Sequence, residues 1–170
     1  MNNRKRRESG IGVIGMIVLI PVLIIAAAVA WYGYCEARKA YWDHQVKLMC
    51  EKDGGVKVYE KLAVTKMQLT GLLNEYGQLS MPDKDYMKPT DKFFTETKSV
   101  SINSAKPEVW RTQYDLHRAS DNKLLAIATT FGRRGGDFPT WAHDSSFTCA
   151  DVKGRDFLSF EKYIFIVQGE

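Results

Sequence analysis

The sequence predicts an α+β protein: one N-terminal transmembrane helix extending into a stalk, then a small domain with a mainly antiparallel sheet of four or five strands and one or two helices. Three observations predict it. Residues 11–34 carry no charge. Residues 93–131 hold three strand-like stretches joined by short connections. Two other segments, 36–52 and 65–77, space their apolar residues as helices do.

The apolar run organises the rest. From Ile11 to Trp31 it would form a helix of roughly 31 Å at ~1.5 Å per residue, which matches a hydrocarbon core of ~30 Å. Arg4, Lys5, Arg6 and Arg7 precede it and only Glu8 opposes them, so the first ten residues carry +3 of the chain's +4. The positive-inside rule keeps that tail cytoplasmic and sends the rest across. In a bacterium this is a single-pass inner-membrane protein with a periplasmic C-terminal domain; in a eukaryote the domain would face the secretory lumen or the outside. A near-neutral domain argues against nucleic acid as its main partner.

Ala28-Val29-Ala30 has the form of a signal-peptidase site. The run is longer than an ordinary signal-peptide core of about 7–15 residues, and Trp31, Tyr32 and Tyr34 form an interfacial aromatic belt. Both favour an uncleaved signal anchor. Ala26 and Ala30 are a small-xxx-small pair through which the helix could oligomerise; plain lipid-facing alanines are the simpler reading. The expected organisation is a basic tail (1–10), a transmembrane signal anchor (11–34), a helical stalk (35–55) and a periplasmic α+β domain (56–170).

Residues 36–52 continue the helix outward. Tyr41, His44 and Leu48 lie at helical spacing, as do Trp42, Val46 and Met49, so the segment is either a stalk or a helix packing one face on the domain. Asp53-Gly54-Gly55 ends it, with glycine supplying the left-handed cap. Residues 56–61 alternate as a half-buried strand. Thr65 and Gln68 have capping-box spacing at the head of a helix that Gly77 stops. Residues 78–92 read as loop. The stretches 93–102, 109–118 and 124–131 form an antiparallel meander, the last apolar on both faces and therefore central. Residues 147–150 are a candidate for a brief return to extended structure, and 156–168 are ambiguous, a short helix followed by a strand being one reading.

Three cysteines are present. In an oxidising compartment two can pair. Cys50–Cys149 is favoured, because Cys50 closes the outer helix and Cys149 the long loop; two buried free thiols remain the alternative. Cys35, left over at the membrane interface, could join two copies. There is no C-x-x-C, no zinc spacing among the three cysteines and three histidines, and no cofactor is expected.

The most distinctive soluble stretch is the loop 133–141. Arg133 and Arg134, followed by Gly135, Gly136 and Asp137, could form an anion site: glycines let backbone N–H groups turn to a ligand and guanidiniums supply charge and forked donors. Trp141 and His143 complete the candidate binding set. Gly-Gly-Asp is also ordinary turn chemistry, with the arginines solvated or paired to Asp137. His143 with Ser145 or Ser146 and Asp144 or Asp137 has the composition of a triad, but no G-x-S-x-G elbow accompanies it. No catalytic residue is assigned.

Two stretches carry a resemblance when taken together. One is residues 42–60, WDHQVKLMCEKDGGVKVYE; the other is 131–139, FGRRGGDFP, with Trp141, Ser145, Ser146 and Cys149. The pair resembles uncharacterised proteobacterial membrane-anchored envelope proteins of unknown function. The resemblance covers about a quarter of the soluble part. It implies a Gram-negative inner-membrane setting, lends support to the Cys50–Cys149 pairing and carries over no catalytic residue.

The reading that follows is a membrane-tethered periplasmic binding or interaction module. Membrane lipid surrounds its helix. An envelope protein or an anionic group meets the loop 133–141. A small periplasmic hydrolase using His143, or a structural subunit of an inner-membrane complex, are the alternatives.

Overall fold

The computed structural model describes residues 13–74, 79–138 and 143–168. The basic tail, Gly77 and Trp141 lie outside them.

Helix α1 (Val13–Asp53) runs unbroken for 41 residues, through Pro21. At ~1.5 Å per residue it is about 61 Å long. Its first half is apolar on every side, with mean hydropathy of 2.4 and none of the stretch buried. It is long and apolar enough to cross a membrane. The second half is amphipathic. Val46 and Cys50 are fully buried and Trp42 and Met49 partly so, while Tyr41, His44 and Leu48 face outward. Of the two helical stripes in the sequence, the one through Trp42, Val46 and Met49 packs on the domain. The helix stops at Asp53: Gly54 N–H donates to Cys50 O at 3.1 Å, and the positive φ falls on Gly55, at 120°.

Strands β1 (Gly55–Val58) and β2 (Leu62–Thr65) lead into helix α2 (Lys66–Leu72). The capping box at its head is complete, with Thr65 N–H donating to Gln68 Oε1 and Gln68 N–H to Thr65 Oγ1. Strands β3 (Phe93–Asn103), β4 (Glu108–Arg118) and β5 (Leu124–Arg134) form the meander. Strand β6 (Ser146–Thr148), helices α3 (Cys149–Lys153) and α4 (Phe160–Ile164) and strand β7 (Phe165–Gln168) complete the chain. The main sheet has five antiparallel strands in the order β1-β5-β4-β3, with β6 also paired to β5. The protein is therefore α+β, and β5 is central as its two-sided apolar pattern demands.

Strand β2 was not legible. Its four residues are too few to show a period, and their partner is β7, paired in parallel from the far end of the chain.

Each face of the main sheet buries one cluster. Residues opposite one another across antiparallel strands share a face. Tyr114 and Leu116 pair with Ala128 and Ala126, and these pack on Phe160 and Ile164 of α4. On the other face Val109 and Phe131 join Val46, Cys50, Cys149 and Phe157. Helix α1 thus covers the end of the sheet where β4 begins and β5 ends.

The disulfide pairs Cys50 with Cys149, whose Cα atoms are 5.3 Å apart. Both are fully buried. The bond ties the end of α1 to the start of α3 and closes a loop of 99 residues. Loops of that length constrain the unfolded chain most. Replacing both cysteines with alanine is expected to cost about 2–5 kcal/mol, read as a lower denaturation midpoint of the detergent-solubilised full chain; an unchanged midpoint would show that the cross-link is thermodynamically idle.

Candidate functional site

Strand β5 ends in two adjacent arginines, and alternation sends them to opposite faces. Arg134 is exposed, and its side chain has no partner among the described residues. Arg133 turns toward α1, with a side chain only 2% exposed. Its Nε donates to Asp43 Oδ1 at 2.5 Å. Its Nη1 donates to the carbonyl of Gly135 and to Ser145 Oγ, the latter at 3.1 Å. The two arginines that suggested a single anion site do not converge. Arg133 is closed off from solvent, and its charge is met inside the fold.

The loop after β5 is folded back by Gly135 and Gly136, at φ of 76° and 90°, values that side chains rarely adopt. A Cβ on Gly136 would also sit 3.0 Å from the Pro107 ring. The reversal brings Asp137 onto Ser145, whose N–H and Oγ–H both donate to the carboxylate at 2.8 Å. Lys39 Nζ closes the arrangement 2.8 Å from Asp137 Oδ1. Lys39 and Asp43 are one helical turn apart and share a face. They hold the loop at two points, one acidic and one basic. Burial opposes ionisation of Asp137, but the hydrogen bonds from Lys39 and Ser145 outweigh it and hold the carboxyl well below the usual carboxylate range.

Between this loop and α1 lies a cleft of about 290 Å³. The helix contributes Trp31, Tyr34, Cys35 and Arg38, spaced i, i+3, i+4 and i+7 along one face. The opposite wall is made by Gly136, Asp137 and Phe138, and the rim by Lys106, His143 and Asp144. Phe138 also packs against Tyr32, with ring centroids 5.8 Å apart. The cleft therefore begins where the apolar half of α1 ends.

Its charges are unevenly matched. Asp137 is paired with Lys39, and Asp144 lies 3.8 Å from Lys106. Arg38 is half-buried and has no hydrogen-bond or ion-pair partner among the described residues. Among the described residues the cleft is thus left with one cation in excess, and Trp31, Tyr34 and Phe138 share its lining.

Gly136, Asp137 and His143 of the expected set reach this cleft. Arg133 and Gly135 support it from behind, and Arg134 lies on the other face. Trp141 is outside the described residues. Sequence reasoning missed Arg38, Lys106 and Phe138. A signal for Arg38 was present, since it is the first cation after the aromatic belt and shares the face of Trp31 and Tyr34. Cys35, a candidate link between two copies, is instead 8% exposed, in the cleft wall.

The triad composition does not assemble. His143 is exposed and makes no hydrogen bond to a described residue. Ser145 gives its hydroxyl proton to Asp137 and accepts from Arg133, so its hydroxyl is engaged by the clamp and not by His143. Among the described residues no three His, Cys, Asp or Glu side chains converge as metal ligands would.

Two predictions follow from the clamp. Asp43→Asn leaves the Arg133 charge buried without a counter-charge and should cost about 3 kcal/mol. Adding Arg133→Met should recover part of that loss, and a double variant no better than the single one would remove the pair from the account. Asp137 gives an acid signature. Its folded pKa is depressed, so its stabilising contribution is complete above the unfolded value of about 3.9 and is lost as pH falls through the folded one. Asp137→Asn should lower stability at neutral pH and flatten the loss between about pH 5 and 2; an unaltered slope in denaturant titrations would contradict it.

Comparison with protein-family models, with curated proteins and with solved structures returns no match. The geometry of the cleft carries the functional reading by itself.

Proposed function

We propose that this chain is a single-pass, membrane-anchored binding module of the bacterial envelope, with its N-terminus cytoplasmic and its domain on the periplasmic side. Its apolar helix serves as an uncleaved anchor, and the cleft between that helix and the loop after β5 receives an anionic group. The observation that carries the reading is Arg38, a half-buried cation that no described residue matches, in a cleft whose lining carboxylates, Asp137 and Asp144, already have partners. The uncharged run before it and the basic tail support the topology. The positions of His143 and Ser145 give the hydrolase alternative no support.

Cys35 provides the test, because it lines the cleft and is the one free cysteine of the chain. A bound anion would shield its thiol. In native membranes a neutral maleimide should alkylate Cys35 more slowly in the wild type than in Arg38→Gln. Equal rates would remove the anion-binding reading. The topology is checked by placing a cysteine at Ser120, an exposed turn residue far from the cleft. A membrane-impermeant reagent should label it from the periplasmic side, and labelling only after cytoplasmic access would reverse the orientation.

A further inference from the structure

We propose that the anion is the phosphate of an acidic phospholipid headgroup, taken from the leaflet at which α1 leaves the membrane. The inference rests on the anion-binding reading above and adds the identity of the ligand.

Height is the first argument. Arg38 lies four residues beyond Tyr34 and seven beyond Trp31. At ~1.5 Å per residue these are about 6 Å and 10 Å along the helix. The headgroup layer adds roughly 5–7 Å beyond the hydrocarbon on each side. A guanidinium is carried on a stem long enough to reach down into that layer. The cation is therefore placed where lipid phosphates are.

The walls give the second argument. Trp31 and Tyr34, each 54% exposed, stand at the mouth of the cleft. Phe138 closes against Tyr32 from the loop side. Rings of this kind lie at the headgroup boundary, with apolar bodies toward the acyl chains. A lipid can occupy the cleft with its phosphate at Arg38 and its glycerol beside these rings. A folded protein partner would first have to displace headgroups to reach the same depth.

The third argument concerns charge. Zwitterionic lipids bring their own cation and would leave Arg38 beside a second positive group. A net-negative headgroup does not, and Lys106 at the rim, 76% exposed, adds to the preference.

The test uses the full chain, basic tail included, in nanodiscs of defined lipid. Cys35 alkylation by a neutral maleimide is followed in phosphatidylcholine alone, in phosphatidylcholine with phosphatidylglycerol, and in phosphatidylcholine with inorganic phosphate. Phosphatidylglycerol should slow the reaction in the wild type. Arg38→Gln should lose about fivefold of that protection, the worth of one basic side chain near an anionic surface. Lys106→Gln, at an exposed position that leaves folding intact, should lose a smaller part. Lys47→Gln, on the exposed face of α1, should lose none. Protection that survives Arg38→Gln overturns the proposal. So does protection by inorganic phosphate with none by phosphatidylglycerol, which would make the cleft a site for a free anion. If native membranes shield Cys35 through Arg38 and phosphatidylglycerol does not, the lipid assignment falls and the binding module stands. If neither shields it, both fall.

Discussion

Burying a guanidinium costs several kcal/mol unless its charge is met at close range, and Asp43 is the carboxylate that meets Arg133. The two are 90 residues apart in sequence. The pair therefore fixes a long-range relation, the rotation and height of α1 against the end of β5. Once α1 is held there, Lys39 one turn earlier falls beside Asp137, and Ser145 is bound to the same carboxylate. The disulfide acts at the other end of the interface, where Cys50 meets Cys149. Between the two lies an apolar cluster around Val46 and Phe131. The helix is thus held at both ends of its packed face by directional contacts and along the middle by burial, which is non-directional.

The electrostatic contacts differ in what they can contribute. The Arg133 guanidinium is removed from water, with a side chain 2% exposed, so leaving it unmatched is strongly penalised. Pairs on the sheet surface, such as Lys84 with Glu96, are open to solvent and worth little. The same distinction separates the two cations near the loop. A buried and fully paired Arg133 has its interactions satisfied by the fold. Arg38 has no hydrogen-bond or ion-pair partner among the described residues.

Much of the fold was legible because its period is local. Alternation along 109–118, the two-sided apolar run 124–131, the Thr65–Gln68 capping box and the glycines after Asp53 each state their structure within a few residues. The helix could be read as continuous because residues 36–52 contain no breaker. The packed face of α1 was only half legible, since two apolar stripes compete and the choice between them depends on Phe131 and Cys149. Strand β2 was illegible for a similar reason: its partner in β7 is remote and its own four residues carry no signal. At the site, the reversal at Gly135 and Gly136 was read as loop, but the loop was begun too early, since Gly132, Arg133 and Arg134 belong to β5, and adjacency of Arg133 and Arg134 was misleading. Neighbours on a strand point apart, so two like charges in sequence supplied one internal clamp and one surface group.

The cleft itself could not be read from either stretch alone. One wall is a helical face, from Trp31 to Arg38, and the other is a loop about 100 residues later. What brings them together is the clamp between α1 and β5. Asp43 and Lys39 follow Arg38 on the same helix, so the register that buries Arg133 also sets the distance between Arg38 and the loop. A shift of one residue along α1 would rotate the helix by about 100°. That shift would carry Arg38 out of the cleft and separate both ion pairs at once. The contacts that hold the domain on its helix and the geometry that leaves Arg38 without a partner among the described residues are therefore one constraint.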